Sequence, residues 1–315
     1  MQKNLIYYII ILLILPLNSA LAQVTTPIPQ PPPNREGVPE QALVPNNVQP
    51  DNSTNLQNND TSESLLRLFA KLSENGKVLQ NGVIWRIFEA NGAENGQMRL
   101  LFKSEQANVN FNLKAGEYLI HAAYGNAQAS EAVSIKNIPV AKTLIFEAGA
   151  LRLKSAISGD IPIIASNIKF EISANDGVAN NKTIIAKNVR SNDIIYLNAG
   201  TYNVTSYFGN VNAKVQADLR VEVGQITDAT LYHDASKISF RLASEPNGKA
   251  IADVEWSVKE QNGEVVYTDL GAFPSTILKE GDYAVIAKIG KKVYNRDFQV
   301  KPSAPREIEL LTSLY

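Results

Sequence analysis

The stretch Phe111-Asn112-Leu113-Lys114-Ala115-Gly116-Glu117-Tyr118-Leu119-Ile120 returns as Ile195-Tyr196-Leu197-Asn198-Ala199-Gly200-Thr201-Tyr202-Asn203-Val204. It returns again as Ser275-Thr276-Ile277-Leu278-Lys279-Glu280-Gly281-Asp282-Tyr283-Ala284-Val285, read with one added turn residue. A second glycine follows nine residues later in every copy, at Gly125, Gly209 and Gly290. Self-similarity at a fixed period means that one supersecondary unit is reused.

Between each pair of glycines the pattern has period two, the mark of a half-buried strand. Tyr118, Ile120, Ala122 and Tyr124 share one face, as do Tyr202, Val204, Ser206 and Phe208, and Tyr283, Val285, Ala287 and Ile289. His121, Asn203 and Lys288 fall on the opposite face, expected to be solvated. Both glycines of each pair are expected at positive φ, the first for the corner entering the strand and the second for the hairpin leaving it.

Upstream of each corner an aromatic sits in a β-rich stretch: Trp85 within Val83–Phe88, Phe170 within Ile168–Ile172 and Trp256 within Val254–Val258. Ser64–Leu72 aligns with Leu151–Leu153 and with Ile238–Leu242 and reads as a first strand. Short strands with turn signals every 8 to 12 residues predict seven-stranded sandwiches. The fold class is therefore all-β, with repeats over 64–148, 149–234 and 235–315.

Two segments precede the repeats. Lys3, the apolar run Leu5–Leu17 and Ala20-Leu21-Ala22 have the three-part form of a signal peptide over 1–22, cleaved before Gln23. Pro16 and Asn18 interrupt the run short of a membrane span. Residues 23–63 carry eight prolines between Pro27 and Pro50 and then an Asn/Asp/Ser/Thr run, which predicts a disordered linker.

The LxAGxYxV and IxxGxYxV corners resemble those of bacterial immunoglobulin-like and carboxypeptidase-regulatory-like (prealbumin-like) repeats in secreted and envelope proteins. The tyrosine after each turn is similar to an immunoglobulin tyrosine corner. The resemblance covers nearly all of 64–315. It implies tandem β-sandwiches and an extracytoplasmic role, but no particular ligand. Lys279 and Glu280 stand where the other corners have one alanine, so the third corner is expected to be looser by a residue.

Composition narrows the function classes. The chain of 315 residues has 30 Lys and Arg against 31 Asp and Glu, a net charge of −1, and no local basic run longer than Lys291-Lys292. Nucleic acid is not an expected partner. Cysteine is absent, so thiolate metal sites, cysteine nucleophiles and disulfides are excluded. The two histidines, His121 and His233, are expected on an outward strand face and in the junction between the second and third repeats, so no catalytic or metal-binding residue is assigned. Asn175-Asp176-Gly177 reads as a hairpin turn rather than a calcium loop. Trp85 and Trp256 are expected in the cores, with a sugar-stacking platform as the alternative, and Tyr207 and Tyr294 are candidate exposed contact residues.

These features together predict a non-enzymatic binding or scaffold protein, periplasmic or secreted. Its expected partner is an envelope or extracellular protein or glycan, with no cofactor and no membrane span after signal cleavage. A carbohydrate-binding protein, or an accessory cell-wall hydrolase working through carboxylates, is the alternative.

Overall fold

The computed structural model describes residues 63–94, 97–175 and 182–314. The expected signal peptide and all but the last residue of the expected linker lie outside the described residues, as do Asp176 and Gly177. The described residues belong to one compact unit.

Its described residues are strands and turns, with two single 3-10 turns. The first repeat contains β1 (Ser64–Lys71), β2 (Val83–Glu94), β3 (Gln97–Ser104), β4 (Val109–Leu113), β5 (Gly116–Tyr124), β6 (Ala127–Ile135) and β7 (Val140–Ile145). They form a three-stranded sheet of order β4-β1-β7 facing a four-stranded sheet of order β3-β2-β5-β6. Strands 1 and 2 fall in different sheets, unlike the immunoglobulin order in which they pair.

The pattern recurs. The second repeat has β8 (Ala148–Ile157), the two-residue β9 (Ile161–Pro162), β10 (Ile168–Asn175), β11 (Lys182–Val189), β12 (Ile194–Asn198), β13 (Gly200–Phe208), β14 (Lys214–Val221) and β15 (Ile226–His233). Its sheets run β12-β8-β15 and β11-β10-β13-β14. The third repeat has β16 (Ala235–Ala243), β17 (Glu255–Glu260), β18 (Val265–Leu270), β19 (Ser275–Lys279), β20 (Gly281–Ile289), β21 (Lys292–Val300) and β22 (Arg306–Leu311). Its sheets run β19-β16-β22 and β18-β17-β20-β21. In each repeat the last strand lies parallel to the first, while the other pairings are antiparallel.

Alternation supplies the cores. Leu66, Leu68, Trp85, Ile87 and Ile120 are buried in the first, Leu151, Leu153, Phe170 and Val204 in the second, and Phe240, Trp256 and Val285 in the third. The two tryptophans are core residues whose indole N–H groups donate to backbone carbonyls, Trp85 to Ala107 at 3.2 Å and Trp256 to Gly271 at 2.8 Å. That is how a buried indole avoids an unpaired donor.

The three corners close alike. The hydroxyls of Tyr118, Tyr202 and Tyr283 donate to the carbonyls of Lys114, Asn198 and Lys279 at 2.9, 2.9 and 3.0 Å. Each tyrosine bonds four residues back, so the third corner is not looser and contains no added residue. Leu278, not Ile277, is the counterpart of Leu113. The pattern was obscured because Ile277 is also buried, from the other side, by the preceding repeat.

The glycines divide into two kinds. Gly125, Gly209 and Gly290 have φ of 58°, 72° and 58°, the left-handed conformation expected of a hairpin. Gly116 is not at positive φ, and Gly200 and Gly281, at 158° and 155°, border on extended backbone. The tyrosine ring two residues on lies beside each of them, at ordinary contact distance from where a Cβ would stand.

Candidate functional site

The residues singled out in the sequence do not converge. His121 is 3 % exposed rather than outward and solvated. It sits mid-sheet on β5 between Arg86 and Ser130 of the neighbouring strands, and its Nε2 lies 3.4 Å from Gln128 Oε1. An outward position on an inner strand is walled on both sides by cross-strand side chains, which hides an imidazole without placing it in the core. Burial lowers its pKa, and the neighbouring Arg86 acts the same way against the Gln128 bond.

His233 is also buried. It ends β15 rather than lying in a linker, and continues the inward alternation from Leu231. Its Nε2 is 2.8 Å from Ser206 Oγ, which is 2.8 Å from Ser155 Oγ, and the ring meets Phe208 edge-on at 5.6 Å. Burial pushes its pKa down to about 4. This serine–histidine pair has nucleophile–base spacing, yet both members are sealed, Ser206 at 0 % and His233 at 1 % exposure. No substrate reaches it.

Tyr294 is likewise internal, because its partner across the sheet is the core residue Ala287. Tyr207 is exposed at 37 %, as expected. Among the described residues no three His, Asp or Glu side chains gather to hold a metal ion.

The repeats meet at two joints built to one plan. At the first, Ala199 N–H donates to Glu147 O at 2.8 Å and Asn126 N–H to Tyr196 O at 3.1 Å. Asn198 bonds Phe146 O and Gln128 O through Nδ2, and accepts from Gln128 N–H. At the second, Glu280 N–H donates to Asp234 O at 2.7 Å. Asn212 accepts from Lys279 N–H and donates to Glu260 Oε1 and the Tyr283 hydroxyl. In both, the hairpin after the left-handed glycine presses on the next repeat: Gly125 on Tyr196, and Gly209 on Ile277.

An open cleft of about 590 Å³ adjoins the second joint. Its wall is the end of the outer face of the second repeat's four-stranded sheet. Lys169 of β10, Tyr207 of β13 and Lys214 of β14 are direct cross-strand neighbours, and Lys187 flanks them from β11. Where Phe170 pairs with Val189 and Ile172 with Ala186, both Lys187 and Asn188 face Glu171, and Asn188 takes up a left-handed φ of 55°. The bulge brings Lys187 and Asn188 to the rim. Lys279 and the hairpin Gly209–Lys214 close the far side. Glu171 is the one acidic residue of the lining, and with burial it raises the Tyr207 phenol's pKa.

The sequence showed no basic run, and this group comes from four strands. Its signal was a lysine on each of three strands around Tyr207 of the fourth, which is invisible until the pairing is known.

Residues 237–312 match the family model of the Rhizobiales growth-associated tandem repeat domain. The matched segment is the third repeat almost in full, from β16 to past β22. No curated protein matches the sequence.

Among solved structures, the TIE protein of Bacillus anthracis is similar at 12 % identity over 79 % of this chain and 51 % of that one, with a TM-score of 0.24. The chain therefore spans about half the length of that protein. GBS52, the minor pilin of Streptococcus agalactiae, is similar at 14 % identity over 54 % of this chain and 95 % of its own, with a TM-score of 0.32. The major pilin BcpA of Bacillus cereus follows at 12 % identity over 79 % of this chain and 99 % of its own, with a TM-score of 0.22. Scores at this level carry no argument about function.

Proposed function

We propose that the chain is an exported, non-enzymatic scaffold or binding protein of the bacterial cell envelope, and that its three sandwiches hold a binding surface at a fixed spacing. The observation that carries this reading is the joint. Each junction is fastened by a backbone hydrogen bond at a corresponding position and by the side chain of an asparagine, with one hairpin seated on the next repeat. Neighbours joined this way keep a set orientation, which a spacer or scaffold needs and a flexible string of modules lacks. The signal-like 1–22 and the proline-rich segment that follows support export and tethering. The growth-associated description of the family matched by the third repeat favours a place in the growing envelope.

The test is to fractionate cells expressing the full-length chain, sequence the mature N-terminus, and crosslink in place before mass spectrometry. A chain beginning at Gln23 in an extracytoplasmic fraction, crosslinked to an envelope component, is the expected result. A chain still beginning at Met1 in the cytoplasm would end the proposal.

A further inference from the structure

The cleft at the second joint differs from the corresponding places in the other two repeats. Lys169, Tyr207 and Lys214 correspond by register to Ile84, Ala123 and Gln128 in the first repeat and to Glu255, Lys288 and Val293 in the third. The first set is uncharged. In the third, Lys288 is neutralised by Glu255 at 2.9 Å. The second repeat alone gathers three lysines at this place, against the single carboxylate of Glu171 in the lining. Lys169, Lys187 and Lys214 are exposed and form none of the ion pairs found among the described residues, whereas Lys279 is paired with Glu260 at 3.4 Å.

Concentrating like charge on one face costs free energy, and Glu171, the one carboxylate of the lining, leaves an excess of positive charge there. A half-exposed tyrosine ring lies between two of the lysines. The asparagines Asn188 and Asn210 add amide donors and acceptors at the rim, and a non-glycine residue in left-handed backbone is a form of strain that concentrates at ligand sites. A cavity of this size at a junction of domains is where small ligands usually bind.

We infer that this cleft binds an acidic glycan. A sugar ring lies on Tyr207, its carboxylates are held by Lys169, Lys187 and Lys214, and its hydroxyls meet the asparagine amides. The inference rests on the envelope reading above and names the ligand class for it.

The experiment titrates the purified mature chain with a short oligogalacturonate, a neutral galactose oligomer of the same length, and linear polyphosphate. The expected result is binding of the oligogalacturonate and not of the neutral oligomer, weakened by added salt. The charge-reversed K187E/K214E variant should lose roughly tenfold or more in affinity. Y207A should lose several-fold, and Y207F should restore it. Thermal unfolding of K187E/K214E should lie at or above that of the native chain, since the change relieves like-charge repulsion, and Y207A and Y207F should remain folded at the temperature of the titration.

No binding of oligogalacturonate, or equal binding by K187E/K214E, overturns the site. Equal binding of the neutral oligomer overturns the role of charge. Polyphosphate bound as well as the glycan, with Y207A unchanged, overturns the sugar assignment. Each of these results leaves the scaffold reading standing, because that reading depends on where the chain resides and what it crosslinks to.

Discussion

His233 shows how a single residue ties stability to pH. Its imidazole is held neutral beside Ser206 with a folded-state pKa of about 4, below the 6.5 of an unperturbed histidine. Between those values the unfolded chain binds a proton that the folded chain refuses. The contribution is therefore full above about pH 6.5, falls as the pH drops towards 4, and levels off below. Its size is on the order of 3 kcal/mol. His121, also lowered by burial, acts in the same direction. Urea unfolding of the native chain and of H233Q between pH 7 and pH 4 checks this: the native chain's advantage should shrink as the pH falls, and a constant difference would sink the idea. The inward place of His233 was readable, because Leu231 and His233 continue one alternation. A junction between two repeats nevertheless carries no local sign of whether its last residues still belong to a strand. His121 was not readable, since its burial comes from side chains on two other strands.

Among the elements, the glycine hairpins separate local strain from docking. Gly209 and Gly290 share the left-handed conformation, but a Cβ on Gly209 would lie 3.0 Å from Ile277 Cβ, while one on Gly290 would meet nothing within 4 Å. G290A should cost about 1–2 kcal/mol, the price of left-handed backbone for an L-residue. G209A should cost measurably more because it also displaces the joint. Calorimetric unfolding of both variants decides, and equal losses would show that the hairpin does not bear on its neighbour.

The strands carry a second recurrent device. Opposite Ile87-Phe88 the edge strand skips Leu101, opposite Ile172-Ser173 it skips Ile185, and opposite Val258-Lys259 it skips Val266. Each is a bulge set in an apolar doublet, Leu100-Leu101, Ile184-Ile185 or Val265-Val266. The second residue of each packs on its core, and the first is left exposed. A bulge there twists the edge away from pairing with other chains. The strands and corners were legible because alternation and glycine spacing are local. The doublets are local too, but an apolar pair does not reveal a bulge until its partner strand is known, and the lysine cleft needed the whole sheet.

For the compact unit as a whole, the cores are not independent. Ile277 of the third repeat belongs to the core of the second, and Val211 of the second packs on that of the third. A chain ending at Asp234 should therefore unfold its second repeat several degrees below the native array, measured by thermal unfolding. An unchanged midpoint would show that the repeats are merely strung together. The outer ends differ from the joints: Asn112 stands where Tyr196 and Ile277 receive a hairpin, and Gly290-Lys291-Lys292 is exposed where Gly125 and Gly209 dock. The parallel pairing of first and last strand has a mechanical meaning. In the second repeat, Ile226–His233 run alongside Ala150–Ile157 in the same direction, so the chain enters at one end of the pair and leaves at the other. Tension along the backbone then slides the two strands past each other and loads the whole ladder at once, instead of peeling it bond by bond. Each sandwich is thus a clamp that would be loaded in shear if drawn from its two ends.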